Sequence, residues 1–309
     1  MSTSKSCDVV VFGDLFIDLV MTGFSRLPAL GEEALASNFR REMGGGAAIT
    51  ACGLGVLGAN TRVMGIVGPV EIEWFRDRFE SKDVHTGTLS SETEPTAITV
   101  AISTDKDRVF YTYAGANTLL PSLLDDANCR RQMAEARHVH FAHLVPAAIL
   151  KELTQWLHQQ GSTVSIDVGW DESWLHSPAT LKALQEVDWF FPNEREAGRI
   201  TGESEPRKIL KWFHSHGLNR VALKLGPLGS ASFLHDKIIF RPAYSVEPIE
   251  TTGAGDCFDA GFLFAWLNGM ELEESLAWGN VCGALPTRGH GGIETFPSRE
   301  KVESILRGN

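Results

Sequence analysis

The chain has no cysteine pair at C-x-x-C spacing, no apolar stretch long enough to cross a membrane and no surplus of positive charge. Its five cysteines, Cys7, Cys52, Cys129, Cys257 and Cys282, are odd in number and far apart. That argues against a disulfide or zinc framework and fits reduced thiols. The formal net charge of -11 disfavours nucleic acid, which needs clustered Lys and Arg, but leaves room for a small anionic ligand at a local site. The N-terminal M-S-T-S-K-S-C-D lacks an apolar leader region, so the expected location is the cytoplasm. No internal repeat, low-complexity tract or long linker divides the chain. What is present is a 43% hydrophobic fraction over 309 residues, enough for a sizeable core.

The order of patterns predicts an α/β protein. Val9 to Phe12 reads as a buried strand ending in Gly13-Asp14, Ala47 to Ala59 as a tightly packed helix, Thr61 to Val67 as a strand and Glu71 to Lys82 as an amphipathic helix. Thr96 to Ser103 and Arg108 to Tyr113 read as a hairpin through T-D-K-D, which interrupts the rhythm as a projecting insertion would. Strand candidates then return at His138 to Ala142, Thr163 to Val168, Trp189 to Phe191 and Arg220 to Leu225. Helical patterns such as Ala147 to Gln160 and Pro206 to His216 lie among them. This alternation implies a mostly parallel sheet covered by helices. A hairpin around His235-Asp236 and helices over Asp256 to Asn268, Glu273 to Leu285 and Ser298 to Leu306 close the chain.

One stretch carries chemistry: E-T-T-G-A-G-D-C-F-D-A-G-F, Glu250 to Phe262. Gly253, Ala254 and Gly255 would let backbone N–H groups at a helix start approach a phosphate closely, giving an anion hole made of main chain. A carboxylate beside such a hole has work to do if Asp256 takes the proton of a hydroxyl that attacks phosphorus. In isolation the same residues serve equally as a turn and a helix cap.

Other segments decide between these readings. T-T-G-A-G-D-C-F-D-A-G-F closely resembles the C-terminal signature of the PfkB carbohydrate kinase family. Gly44-Gly45-Gly46-Ala47-Ala48 resembles its N-terminal glycine signature, and Gly13-Asp14 with Asp18 its first strand and sugar-facing acid. Asn193-Glu194-Arg195-Glu196 matches its N-x-x-E motif, and Leu225-Gly226-Pro227-Leu228-Gly229 its late strand and turn. The resemblance spans nearly the whole chain in the family's order. It implies one ribokinase-like domain over 1–309, a three-layer α/β/α sandwich with a small β-sheet lid from segments near 15–42 and 93–116. It further implies Asp256 as catalytic base, with Gly253, Ala254 and Gly255 as the anion hole. Asp14, Asp18, Gly45, Gly46 and Ile49 would line the sugar pocket. Asn193, Lys224, Gly226, Gly229, Thr252 and Asn280 would lie at the nucleotide, and Asn193 with Glu196 would organise Mg²⁺. The implied activity is ATP-dependent phosphorylation of a sugar or sugar acid, in a homodimer joined through the lid.

Several positions depart from the family pattern. Ile49 stands where many members carry a sugar-contacting Asn. Glu250 replaces the Asp that opens the glycine motif, which puts monovalent-cation activation in doubt. Gly68-Pro69-Val70 lacks an acidic pair, Val168-Gly169 follows Asp167 where Pro-Asn is common, and Lys224 holds a position often taken by Thr. None of these touches Asp256. Two alternatives stay open: a nucleoside kinase of the same fold, and a sugar-binding regulator without catalysis. His138, His140 and His143 read as structural or surface histidines rather than metal ligands, because His143 would leave their shared strand face. His214 and His216 read as solvated, and Gly289-His290-Gly291-Gly292 as a turn or a nucleotide contact. Arg40, Arg41 and Arg108 read as a solvated face, the alternative being a grip on a carboxylate or phosphate of the acceptor.

Overall fold

The computed structural model describes residues 5–89, 93–104, 108–169, 171–235, 237–289 and 291–308. Lys106 and its neighbours in the T-D-K-D turn, Asp236 and His290 lie outside the described residues.

A six-stranded parallel sheet forms the centre. Its strands are β1 (Cys7–Gly13), β4 (Thr61–Met64), β5 (Val84–Thr86), β8 (Ala136–Ala142), β9 (Thr163–Asp167) and β10 (Trp189–Phe190), in the spatial order β10-β9-β8-β1-β4-β5. The C-D-V-V-V-F-G run of β1 is buried almost throughout because helices cover both faces. Val9 and Val11 point into one core, with Phe258, Phe262 and Trp278. Val10 and Phe12 point into the other, with Leu150, Leu153 and Phe213. This is the three-layer α/β/α arrangement that the alternating pattern and the resemblance implied.

Two smaller sheets flank it. β11 (Leu223–Lys224), β12 (Ser230–Leu234) and β13 (Lys237–Arg241) form one, and parallel bridges from Val221 to Phe190 and from Lys224 to Asn193 dock it beside β10. The other has the order β3-β2-β6-β7, from β2 (Phe16–Phe24), β3 (Asn38–Gly44), β6 (Ala97–Thr104) and β7 (Arg108–Tyr113). Its cross-strand register sorts residues by parity. Ile17, Leu19, Met21, Phe39, Ile98, Val100, Tyr111 and Tyr113 share one face. Asp18, Arg40, Glu42 and Arg108 share the other.

Some boundaries differ from the expectation. The strand expected to reach Val67 ends at Met64, although the Gly65 and Val67 N–H groups still bond to Thr88 O (3.2 Å) and Leu89 O (3.1 Å). The strand expected over Arg220 to Leu225 contracts to Leu223–Lys224. The helix expected from Asp256 begins at Ala254, because Gly253 caps it in the left-handed region at φ 75°. Among the described residues no helix is long and apolar enough to cross a membrane.

Candidate active site

The strand order reverses at β1. The chain runs from β1 outward to β4 and β5, then returns to build β8, β9 and β10 on the other side. Such a switch point opens a crevice at the carboxyl ends of the strands. β1 and β8 pair in register, with Gly13 beside Ala142, so the next residues, Asp14 and His143, leave the sheet side by side. His143 Nδ1 lies 2.8 Å from Asp14 Oδ2. The helix Gly46–Val56 starts over the same point. A β-carbon on Gly45, whose φ is 97°, would collide with the Asp14 carbonyl, and one on Gly46 would sit 2.9 Å from Asp256 Oδ1. Glycine is therefore what lets the start of this helix close on the Asp14 main-chain carbonyl and the Asp256 carboxylate.

Asp256 stands in the first turn of the helix Ala254–Leu267. The Ala254 N–H donates to Thr251 O (3.3 Å) and the Cys257 N–H to Gly253 O (2.9 Å). Among the described residues, the N–H groups of Gly255 and Asp256 take part in no main-chain bond outside the helix and are the donors left at its end. Burial, reinforced by the nearby Asp167 carboxylate and opposed by the Lys224 ammonium, pushes Asp256 up to about 7.

Lys224 ends β11 and turns inward. Its Nζ lies 2.7 Å from Asp167 Oδ2 and 3.4 Å from both carboxyl oxygens of Asp259. Burial pulls its pKa down, but Asp167, Asp259 and Glu196 outweigh burial and hold the ammonium above the ordinary lysine value. Burial in turn holds the Asp259 carboxyl well above its usual range, although Lys224 opposes the shift. Asn193 and Glu196 cap the helix Glu194–Thr201. Asn193 Oδ1 accepts from the N–H groups of Arg195 and Glu196, and Glu196 Oε2 accepts from the Asn193 N–H (2.9 Å). Burial and the Asp167 charge push Glu196 up to about 7.

These groups line one cavity of about 390 Å³. It runs along the carboxyl ends of the strands, from Asp14, Gly46, His143 and Asp256 to Asp167, Asn193, Glu196, Lys224, Gly226 and Gly255. The sequence pattern of the pfkB family carbohydrate kinases matches residues 7–299. The chain belongs to the pfkB family of carbohydrate kinases.

Relatives within and around this family span the chain almost end to end. A 2-dehydro-3-deoxygluconokinase of Bacillus subtilis is 27% identical, covering 97% of this kinase and 95% of its own length. The solved ribokinase of Arabidopsis thaliana, complexed with ribose and ATP, superposes with a TM-score of 0.86 at 26% identity, covering 97% of this chain and 99% of that one. A putative ribokinase II of E. coli, in complex with ATP and Mg²⁺, gives a TM-score of 0.82 at 20% identity, covering 98% and 100%. The fold is therefore ribokinase-like.

Other expected site residues of the kinase lie around the cavity rather than on its wall. Asp18 faces Gly44, and burial, together with the Glu42 and Glu250 charges, pushes it up to about 7. Ile49 packs against Gly253. The Thr252 hydroxyl accepts from Arg108 (3.0 Å). Gly229, at φ 108°, turns the chain against Arg241 O and Ala243 N. Asn280 donates to Arg241 O and Pro242 O (3.0 and 3.1 Å) and lines a separate depression beside Tyr244 and Trp278.

The arginines expected as a solvated face are instead held by ion pairs. Arg108 reaches from β7 to Glu250 (3.4 Å), Thr251 (3.1 Å) and Thr252. Arg40 donates to Glu42 (2.6 Å) and its guanidinium lies 3.9 Å from Glu250. Arg41 pairs with Glu71 at 3.7 Å and covers the Trp74 ring. Their acidic partners hold Arg40 and Arg108 partly buried, at 22% and 30% exposed, whereas Arg41 stays open to water at 41%. Gly291 and Gly292 lie against Glu42 and against Ile49 and Cys257, on the Asp18 side of the helix start. His138 and His140 are buried and bond to Thr163 and Ser165, and burial pushes His138 down to about 3. His214 and His216 stack on Phe233 and Trp212.

Three groups had no catalytic or binding role assigned from the sequence: Asp167 and His143, which line the cavity, the latter expected as a structural or surface histidine, and Asp259, which is buried against Lys224. A signal existed for Asp259, which lies three residues after Asp256 and so on nearly the same helix face. Nothing local marked the other two.

Proposed function

We propose that this kinase transfers the γ-phosphoryl group of ATP to a hydroxyl of a small carbohydrate held between Asp14, Asp18, Gly46 and Asp256. Asp256 takes the hydroxyl proton while the oxygen forms a bond to phosphorus and the bond from phosphorus to ADP breaks. The N–H groups of Gly255 and Asp256, with Lys224, stabilise the charge spread over the transferring group. The observation that carries this reading is a carboxylate in the first turn of a helix, beside helix-start N–H groups and a buried ammonium, in one cavity.

ATP as donor is supported by the Arabidopsis ribokinase, whose structure holds ribose and ATP. The carboxylate and amide oxygens of Glu196 and Asn193 on the cavity wall suit Mg²⁺. Asp167, Asp256 and Asp259 come within 4.8 Å of one another, yet Lys224 already supplies a cation there. Glu196 and Asn193, through water, are the residues that would hold Mg²⁺ with the nucleotide. When bound, that ion neutralises charge on the β- and γ-phosphate oxygens. Glu250 already has Arg108 and Arg40 as counter-ions, and a monovalent cation is no part of this proposal.

The four-stranded sheet is the lid of this single domain. Its Asp18 face closes on the acceptor and excludes water, the competing nucleophile. On its other face Phe39, Tyr111 and Tyr113 are 55%, 63% and 52% exposed. A second copy of the chain covers that face in the proposed homodimer.

The test is ATP consumption with Mg²⁺ over pentoses, ketohexoses, 2-dehydro-3-deoxygluconate, phosphosugars and nucleosides, repeated with Asp256→Asn. Turnover of a sugar or sugar acid, lost at least a thousandfold in the variant while ATP binding persists, is the expected result. Turnover confined to nucleosides would replace the acceptor class. An Asp256→Asn enzyme of full activity would remove the base assignment.

A further inference from the structure

Of three histidines near the end of β8, two are consumed by the interior. His138 and His140 are fully buried and bonded to side chains of β9. His143 is one residue past the strand and lines the cavity with Asp14, Gly46 and Asp256. The topology places it there. β1 and β8 are the strands on either side of the switch point, and their pairing in register delivers Asp14 and His143 to the same spot.

The contact between them fixes the chemistry of the ring. An ionised carboxylate has only acceptor atoms, so the short bond from His143 Nδ1 to Asp14 Oδ2 puts the proton on Nδ1. A neutral ring must then carry its lone pair on Nε2. The hydrogen bond to Asp14 also sets the plane of the imidazole. Asp256 lies close enough for the Asp14 charge to act on it, and Gly46, lining the same cavity, puts no side chain beside Asp256 Oδ1. A carbohydrate that presents one hydroxyl to Asp256 has others spaced along its carbon chain. Hydroxyl protons need acceptors, and Nε2 is an oriented one.

We infer that His143 binds the acceptor: its Nε2 accepts a hydrogen bond from a second hydroxyl of the carbohydrate, with Asp14 holding the ring in the required tautomer. This deepens the kinase reading and rests on Asp256 marking the reacting hydroxyl. It defines the substrate class further, as a polyhydroxy compound with a hydroxyl donor at a fixed offset from the phosphorylated one. Asp14 then acts on the substrate through His143.

The experiment is calorimetric titration of D-ribose, D-fructose and 2-dehydro-3-deoxygluconate, and of monodeoxy analogues of each sugar that binds. It uses the wild type, His143→Asn and His143→Gln. Asn retains a donor where Nδ1 was but loses the Nε2 lone pair, whereas Gln carries an oxygen out to the Nε2 position. Wild type is expected to bind its sugar at least tenfold more tightly than His143→Asn, with His143→Gln between them and ATP affinity equal in all three. One monodeoxy analogue should bind wild type as weakly as the parent sugar binds His143→Asn, and His143→Asn should not distinguish the two. A structural role for the ring would weaken every ligand alike and leave that discrimination intact.

Sugar affinity unchanged in His143→Asn, or preserved discrimination against every analogue, overturns the inference and leaves the kinase reading standing. A wild type that binds no sugar removes both. Independently of any ligand, ¹⁵N NMR of the imidazole reads the tautomer: a proton on Nε2 in the neutral ring refutes the inference, and a proton on Nδ1 supports it.

Discussion

Asp256 carries a charge that its surroundings resist. Its carboxyl opens to the cavity but sits against Asp167, and its pKa of about 7 makes it a base matched to neutral pH. kcat/KM for the acceptor should therefore rise through pH 7, and more steeply than for one proton, since Glu196 and Asp18 also titrate near 7. Stability should move the other way. A carboxyl whose native pKa is raised above the unfolded value of roughly 4 stabilises the fold only at low pH, and this contribution is lost between about pH 4 and pH 7. Asp256→Asn should accordingly be inactive yet melt several degrees above wild type at pH 8, with the gap vanishing near pH 4. Thermal melts of both proteins across that range check the sign. Asp256 stood out in the sequence because G-A-G-D sets a carboxylate directly after a glycine-rich helix start, the pattern on which the proposed base and anion hole rest. His143 was not, because its role depends on a strand pairing with a segment about 130 residues away, and H-V-H-F-A-H looks the same whether the strand lies beside β1 or at an edge. Asp167 and Asp259 were hidden for a similar reason: they matter through Lys224, which comes from a third element.

At the scale of elements, the loop of residues 249–253 is held from two sides. The N–H groups of Ile249 and Glu250 both bond to Thr287 O (2.7 and 3.0 Å). From the other side Arg108 grips Glu250, Thr251 and Thr252, the three residues directly before the Gly253 cap. A lid strand is thereby tied to the start of the helix that carries Asp256. Arg108→Ala should lower kcat by roughly tenfold or more and raise the acceptor KM, with little effect on the KM for ATP. Arg108→Lys should recover only part, since one ammonium cannot reproduce a planar fork that touches three residues. Steady-state kinetics, with ATP hydrolysis measured in the absence of acceptor, separates a leaking lid from a misplaced base. Most long helices and five of the six parallel strands were legible from their apolar patterns, whereas β5, only three residues long, and the short helices Ala127–Ala134 and Pro178–Leu184 were not. β2 and β3 were expected only through the resemblance, as part of a β-sheet lid near 15–42; by pattern alone N-F-R-R-E-M-G reads as a charged loop until Arg40 is seen between Glu42 and Glu250. The helix Glu194–Thr201 was passed over for its motif, although N-x-x-E is also the spacing of a capping box.

Across the whole molecule, the βα rhythm announced a parallel sheet but not the order of its strands, since periodicity says what is buried and not beside what. That order, with β1 between β8 and β4, is what makes one crevice the site. The lid sheet adds a second level of organisation. In the proposed dimer its outward face is covered, so Tyr111→Arg should shift sedimentation from dimer to monomer and weaken self-association by more than tenfold, without altering ATP affinity. The parity of this sheet has a further consequence for how the protein tolerates change in length. In the first half of β2, Asp18 faces the Glu42 and Glu250 carboxylates, while Ile17 and Leu19 lie on the opposite face. One residue added within β2 would turn Asp18 away from the acceptor and bring Leu19 in, and at the same stroke would scatter charge over the apolar face. On this proposal, single substitutions in these strands should be absorbed, whereas an insertion or deletion in them should weaken sugar binding and self-association together. Length changes should be tolerated only in the connections, such as residues 25–37.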